Sequence, residues 1–503
     1  MRSRARRGSL SLVTASAILA IALFLLVKDS LTDDAYITLA YAKNLAVHGE
    51  WGLVPGSMSN SATSPLNVLL LGGLTALTKP FGGAHPVVAL GILNVVASAG
   101  LGWGWARLAR AYALPFAVAA LGVLLVLVNP FVLSAIGLEV LLIPAVLVLM
   151  TAFAVEGKPV PFGIFAALAM LTRLDLIVFV VVIALCAPAI RKRLVPAAAT
   201  AVLVAAPWFV FSWIAFGSAV PDTLVIKQSQ DGLFGRWSFS TGPMMYYFGQ
   251  HAAVVFTFVP AVLGVVALIA TVGLRFGVRW RDFPPVGAIA GIGAGGVAYY
   301  FVYSLLGVGP YHWYYVTPTV ALATFAVLAT GIWLVKAREQ ARMRVAAPLT
   351  ALGVIGVLAL GAIVVDGRQG VPWKSPVIFG NWASAQDYAR MGQELGARLD
   401  GATVRSPGEI GTLAYYCECS ILDQFSDRGR VTELVDERIA ESSSLGAALL
   451  RFNYLFFDHD RTPRQLDYRL TYKEGPGSGP DTWQVYSAAR GVGHFTLVPD
   501  EER

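Results

Sequence analysis

The sequence predicts a polytopic α-helical membrane protein carrying a small α/β domain at its C-terminal end. Three observations predict it. Only 14% of the 503 residues are charged and 56% are hydrophobic, whereas soluble domains carry about 25% charged residues. Apolar runs long enough for a hydrocarbon core of roughly 30 Å recur along the chain. Near Trp373 the character changes: charged residues become frequent and the apolar runs shorten. The apolar excess upstream is too large for a soluble core, so it must face lipid.

Eleven spans are expected, at about 10–27, 87–106, 114–134, 139–155, 160–173, 174–190, 194–216, 251–274, 284–306, 311–335 and 346–366. The first follows a basic start (residues 1–7) that also fits a signal peptide. A functional-looking loop begins directly behind it and many spans follow, so it is read as an uncleaved anchor. The fifth is short.

Basic clusters test this order. They comprise Arg2, Arg4, Arg6 and Arg7; Arg107 and Arg110; Lys158; Arg191, Lys192 and Arg193; Arg275, Arg279 and Arg281; and Lys336, Arg338, Arg342 and Arg344. With eleven spans every cluster falls on one side, as the positive-inside bias requires. The net charge of +7 therefore reports topology rather than a nucleic-acid surface. Pro65–Thr78 is apolar but has only 14 residues, below spanning length. Counting it as a span would invert the charge pattern, so a short helix on or dipping into the outer leaflet is expected.

This topology sets the N-terminus on the cytoplasmic side of the plasma membrane and four segments outside: 28–86, 217–250, the 307–311 turn and everything after Asp366. Residues 1–366 form the membrane domain, and 367–503 an extracytoplasmic domain. In the latter, 381–399 reads as an amphipathic helix, 453–457 and 483–487 as short strands, and 475–480 as a loop. Three cysteines exclude a disulfide framework. Cys417 and Cys419 flank Glu418, lack two further zinc ligands, and are expected as neutral thiols. Gly102 and Gly104, with Gly291, Gly293, Gly295 and Gly296, lie inside spans and read as close helix packing. No strand precedes them, so a phosphate loop is not indicated.

The segment 32–66 carries the chemistry. Asp33 and Asp34 stand just beyond the first span, where paired carboxylates bind a divalent cation or act as a general base. Behind them Ala35, Ile37, Leu39, Ala42 and Leu45 form an apolar face at helical spacing, interrupted by Tyr36, Tyr41 and Lys43, which fits an interfacial helix. The plainer alternative is that Asp33 caps this helix.

The order of these pieces resembles the first outer loop of the GT-C glycosyltransferases: the aspartate pair, Tyr36-Ile37-Thr38, Tyr41-Ala42, Asn44-Leu45-Ala46 and Thr63-Ser64-Pro65-Leu66. The resemblance extends to Gly137-Leu138-Glu139, Leu171-Thr172-Arg173-Leu174-Asp175 and Tyr311-His312-Trp313-Tyr314-Tyr315. In the tail, Gly408-Glu409-Ile410-Gly411 and Leu422-Asp423 continue it. Actinobacterial arabinofuranosyl- and mannosyltransferases are the most similar members. The chain departs from them where Leu53-Val54-Pro55-Gly56 and Ser59-Asn60-Ser61-Ala62 precede the Thr-Ser-Pro-Leu element, and where Leu174 stands in place of proline.

The resemblance implies a GT-C-like enzyme of the cell membrane. Such an enzyme transfers a sugar, hexose or pentose, from a polyprenyl-phosphate donor to a cell-envelope glycan or glycoconjugate by inverting displacement, with no nucleic-acid partner. Asp33 or Asp34 would take the acceptor's proton. Positive charge would stabilise the leaving phosphate, and Arg173, Lys227 and His312 are the candidates. Each has a plainer reading. Arg173 would pair locally with Asp175 or snorkel, Lys227 would be a solvated loop lysine, and His312 would join an aromatic belt.

Glu139 would hold a divalent cation (Mg2+, Mn2+ or Ca2+) with Asp34, orient a sugar hydroxyl, or merely cap its helix. Tyr36, within the same motif as the aspartates, is counted with the site. The competing function is a transporter or flippase of a lipid-linked sugar. It fits less well, because the polar candidates cluster at one surface and no duplicated half is visible.

Overall fold

The computed structural model describes residues 2–228, 237–249, 252–276, 286–339, 345–369, 373–399, 401–423, 425 and 427–500. Among them, eight helices are long and apolar enough to cross a membrane: Gly8–Val27, Pro86–Ala111, Phe116–Ser134, Leu194–Phe216, Val254–Gly273, Gly287–Leu305, His312–Glu339 and Ala346–Gly367. Three shorter apolar helices, Glu139–Val155, Pro159–Thr172 and Leu174–Cys186, fill the remaining expected positions. The protein is a multi-pass membrane protein with a small C-terminal sheet. Arg279, Arg281, Arg342 and Arg344 lie outside the described residues, as do 229–236 of the second loop.

His312–Glu339 is buried along most of its length, while Leu194–Phe216 is mostly exposed. The glycines explain how the inner helices come so close. A Cβ at Gly291 would stand 2.9 Å from the Ile183 Cα, one at Gly295 2.5 Å from Phe179, and one at Gly293 2.8 Å from Phe325. Small residues at such seams let backbones approach and gain dispersion contact where lipid offers no hydrophobic drive. Arg107 pairs with Glu156, which also lies 2.8 Å from Lys158. Two of the basic clusters thus share one end of the bundle.

At the other end, the first loop forms helix Asp33–His48, followed by Pro65–Thr78. The latter is the expected short helix. The former corrects an expectation. It does not lie along a membrane surface with a wet face, because Ala35, Tyr36, Leu39, Tyr41 and Ala42 are all buried. The bundle covers one side of it and the tail covers the other.

The tail sheet has the order β2-β1-β3-β5-β4, with β1 Thr403–Arg405, β2 Ser420–Leu422, β3 Tyr468–Glu474, β4 Thr482–Ser487 and β5 Gly491–Pro499. β2, β1 and β3 are parallel, whereas β3, β5 and β4 are antiparallel. Helix Ala385–Arg398 starts at Ser384, whose hydroxyl accepts from the Asp387 N–H at 3.1 Å.

Two tail expectations fail. Residues 453–457 are not a strand: helix Ser444–Asn453 runs into them, and the Tyr454 N–H donates to Leu450 O at 2.9 Å. Tyr454 and Phe457 are instead buried against Val225, Val431 and Val435. Cys417 and Cys419 are not thiols but a disulfide. Glu418 between them takes a left-handed conformation, φ 52°.

Candidate active site

The two aspartates diverge because neighbouring helical residues point about 100° apart. The Asp33 carboxylate faces the tail. It accepts from the backbone N–H groups of Ile410 at 3.0 Å, Gly411 at 2.9 Å and Thr412 at 2.8 Å. It therefore caps the tail helix Gly411–Cys417 rather than its own, whose N-cap is Thr32. Burial pushes its pKa up, and the three amides pull it back. Gly411 makes the approach sterically feasible, since a Cβ there would sit 2.1 Å from Asp33 O. Asn381 adds to the joint by accepting from the Thr32 hydroxyl at 2.8 Å and donating to Glu409 at 3.0 Å. Burial raises Glu409 to about 8, with Asp33 adding to the effect.

Asp34 faces a cavity lined also by Glu139, Arg173, Lys227, Trp313, Tyr314 and Asp423. A second cavity adjoins it, and Asp34, Lys227, Trp313 and Asp423 line both. Burial pushes the Asp34 carboxyl up to about 6, with Lys227 pulling it down and Asp33 and Asp423 pushing it up. Gly137 turns the chain into the short 3-10 helix that Glu139 opens: it holds φ 110°, and a Cβ there would meet the Ala35 Cβ at 2.3 Å.

Arg173 is shared. Its guanidinium donates to Glu139 at 2.7 Å, to Asp175 at 2.6 Å and to the Tyr303 hydroxyl. The local pairing with Asp175 is present, yet Arg173 also lines the cavity. Two carboxylates already balance its charge, so it offers an approaching phosphate less than a free guanidinium would. Lys227 differs. It donates to the Tyr314 hydroxyl and lies 5.0 Å from that ring's centroid. Among the described residues no carboxylate is within ion-pair distance of it.

His312 lines the second cavity with Tyr246, Tyr247 and Tyr311. Tyr36 does not join Asp34; its ring packs 5.4 Å from Tyr415 and 5.8 Å from Tyr416, on the tail. Trp51 and Trp208 pair at 4.6 Å and bind the first loop to the span Leu194–Phe216, whereas Trp313 lines both cavities. Asp423 and Tyr314 complete the wall. Sequence reasoning saw both only as parts of a resemblance, without a role. Among the described residues no group of three or more His, Cys, Asp or Glu side chains is placed to hold a metal ion. Glu139, expected as a ligand with Asp34, is engaged by Arg173 at 2.7 Å.

Below this site lies a second joint. Asp222 is fully buried and meets Arg428 of the tail at 3.0 Å, while Arg428 donates to Phe216 O at 2.8 Å. The Ser218 hydroxyl donates to Asp222 at 2.9 Å, the Asn60 amide donates to Ser218 O at 2.9 Å, and the Asp222 N–H donates to Asn60 O at 2.8 Å. Asn60, in the segment that departs from the GT-C pattern, thus ties the first loop to the second, which Asp222 joins to the tail.

No family model and no curated protein matches the chain. Solved structures do. ArnT from Cupriavidus metallidurans, bound to undecaprenyl phosphate, superposes with a TM-score of 0.54 at 15% identity, covering 97% of each chain. Arabinofuranosyltransferase AftD from Mycobacteria gives 0.52 at 13%, over 97% of this chain and 40% of that one. The oligosaccharyltransferase AglB from Archaeoglobus fulgidus, in complex with an inhibitory peptide and a dolichol-phosphate, gives 0.50 at 12%, over 92% and 69%. Two of these structures hold a polyprenyl-phosphate lipid, and two are of glycosyl-transferring enzymes. Over nearly its whole length, this chain shares the fold of ArnT.

Proposed function

We propose that the protein transfers one sugar from a polyprenyl-phosphate donor to a hydroxyl of a cell-envelope glycan or glycoconjugate, on the outer face of the plasma membrane. One observation carries this reading: Asp34 and Lys227 stand together on the wall shared by two adjoining cavities. The acceptor oxygen attacks the anomeric carbon from one side as the bond to the lipid phosphate breaks on the other. Configuration inverts. Asp34 takes the acceptor's proton, and its raised pKa suits a base working near neutrality. Lys227 meets the charge developing on the departing phosphate, with the Arg173 cluster and His312 flanking it. Two docked substrates gain from proximity what a bimolecular encounter in water lacks.

The N-terminus then lies inside, residues 1–366 act as the membrane unit, and 367–503 cover the site from outside. The superposition on an arabinofuranosyltransferase makes arabinofuranose the first sugar to test, with mannose second. Purified enzyme in nanodiscs, given labelled polyprenyl-phosphate arabinose or mannose and an oligosaccharide acceptor, should form a lengthened glycan. Movement of labelled lipid across the bilayer with no transfer product would instead support a flippase.

A further inference from the structure

The tail helix Ser444–Asn453 carries two apolar faces. One, with Ala447 and Leu450, turns toward the buried cluster of Val431, Val435 and Tyr454. The other is bare. Leu445, Ala448, Leu449 and Phe452 follow i, i+3, i+4, i+7 spacing, which sets them on one side. Leu445 is 72% exposed, and Leu449 and Phe452 are each 62% exposed. Leu455 and Phe456 extend the patch past the helix end. Contiguous apolar surface of this kind marks an interaction site.

Its position says what covers it. The adjoining span Leu194–Phe216 shows lipid its exposed Val210, Phe211 and Ile214. From that span, Trp213 donates its indole N–H to Phe452 O at 3.0 Å and packs 4.7 Å from the Phe452 ring and 5.1 Å from Phe456. Gly217, just past the span's end, lies so close to the tail that a Cβ there would stand 2.6 Å from the Phe457 Cα. The bare face therefore continues the span's lipid-facing surface at the depth where the span ends. A tryptophan marks that depth, as is usual at a membrane interface, and the exposed Arg451 sits in the helix's last turn. We infer that helix Ser444–Asn453 lies in the headgroup region of the same leaflet, its face of Leu445, Leu449 and Phe452 in the acyl boundary. The tail is thereby held to the bilayer as well as to the bundle.

The full-length protein in nanodiscs tests this. Bimane is attached at Leu449→Cys or at Glu437→Cys, an exposed site on the neighbouring helix, both in a Cys186→Ser background without reductant. The probes are phosphatidylcholine brominated along its acyl chains and aqueous iodide. At position 449 brominated lipid should remove more than half of the emission and iodide little, with the reverse at 437. Equal iodide quenching at both positions, with no loss to brominated lipid, would overturn the inference. Protection at 449 from both quenchers would also overturn it, by giving the face to a protein partner or a second copy. Unchanged melting temperatures of the unlabelled variants show that the fold is retained.

Discussion

At the scale of single residues, adjacency in sequence does not mean a shared task. Asp33 spends its oxygens on three backbone amides of the tail, while Asp34 looks into the cavities. Their variants should differ accordingly. Asp34→Asn should lower kcat by at least about 100-fold, the ordinary worth of a general base, and leave the melting temperature unchanged. Asp33→Asn should cost stability by roughly 1–3 kcal/mol, because buried amides lose a charged acceptor; thermal denaturation in detergent reads this. Full transfer activity in Asp34→Asn would remove Asp34 as the base. A base must be unprotonated to work, and Asp34 titrates at about 6. Activity should therefore rise with pH through about 6 and level off above it, as a pH–rate profile of kcat/KM would show. Lys227→Met should reduce kcat by roughly 100-fold with a smaller change in KM, since its charge matters most as the phosphate leaves.

At the scale of elements, the informative contact is that of helix Asp33–His48 with the tail helix Gly411–Cys417. The first is read correctly as a helix from its spacing, and wrongly as an interfacial one. On its polar-looking face Tyr36 is covered by Tyr415 and Tyr416, hundreds of residues away, and Tyr41 by Trp51 and Ser59 of the folded-back loop, which local periodicity cannot report. Gly411 is the point of closest approach. Gly411→Ala should force the helices apart at a cost of about 1–3 kcal/mol, seen as faster proteolytic release of the tail. An unchanged cleavage rate would mean that the joint tolerates the added methyl. The same limit explains 453–457. Its aromatic run suggests a strand, yet the preceding helix and the pocket for Tyr454 and Phe457 decide otherwise.

At the scale of the whole molecule, tail and membrane bundle act as two jaws around the cavities. The Asp222–Arg428 pair holds them on one side and the Asp33–Gly411 contact on the other. Removing one partner of a buried pair strands the other without compensation, at about 3–5 kcal/mol. Arg428→Ala should therefore destabilise the protein more than an Asp222→Asn, Arg428→Met double change, which removes both charges. Differential scanning fluorimetry of the three proteins checks the order. A single change milder than the double one would show that the latch contributes little.

The sequence by itself determined the membrane class, the positions of the apolar helices and the first-loop segment that helps line the cavities, because hydrocarbon imposes length and charge rules on each segment separately. It also marked Asp34, Arg173, Lys227 and Glu139, since charge near an apolar boundary is costly enough to stand out in a linear reading. Only the tertiary structure decided which aspartate faces the cavities, that Arg173 is already neutralised by Glu139 and Asp175, and that Cys417 and Cys419 pair. It alone brought Asp423 and Tyr314 to the wall. Those outcomes depend on the direction in which a side chain leaves its helix and on what a distant segment sets opposite it. Neither is a property of any local stretch of residues.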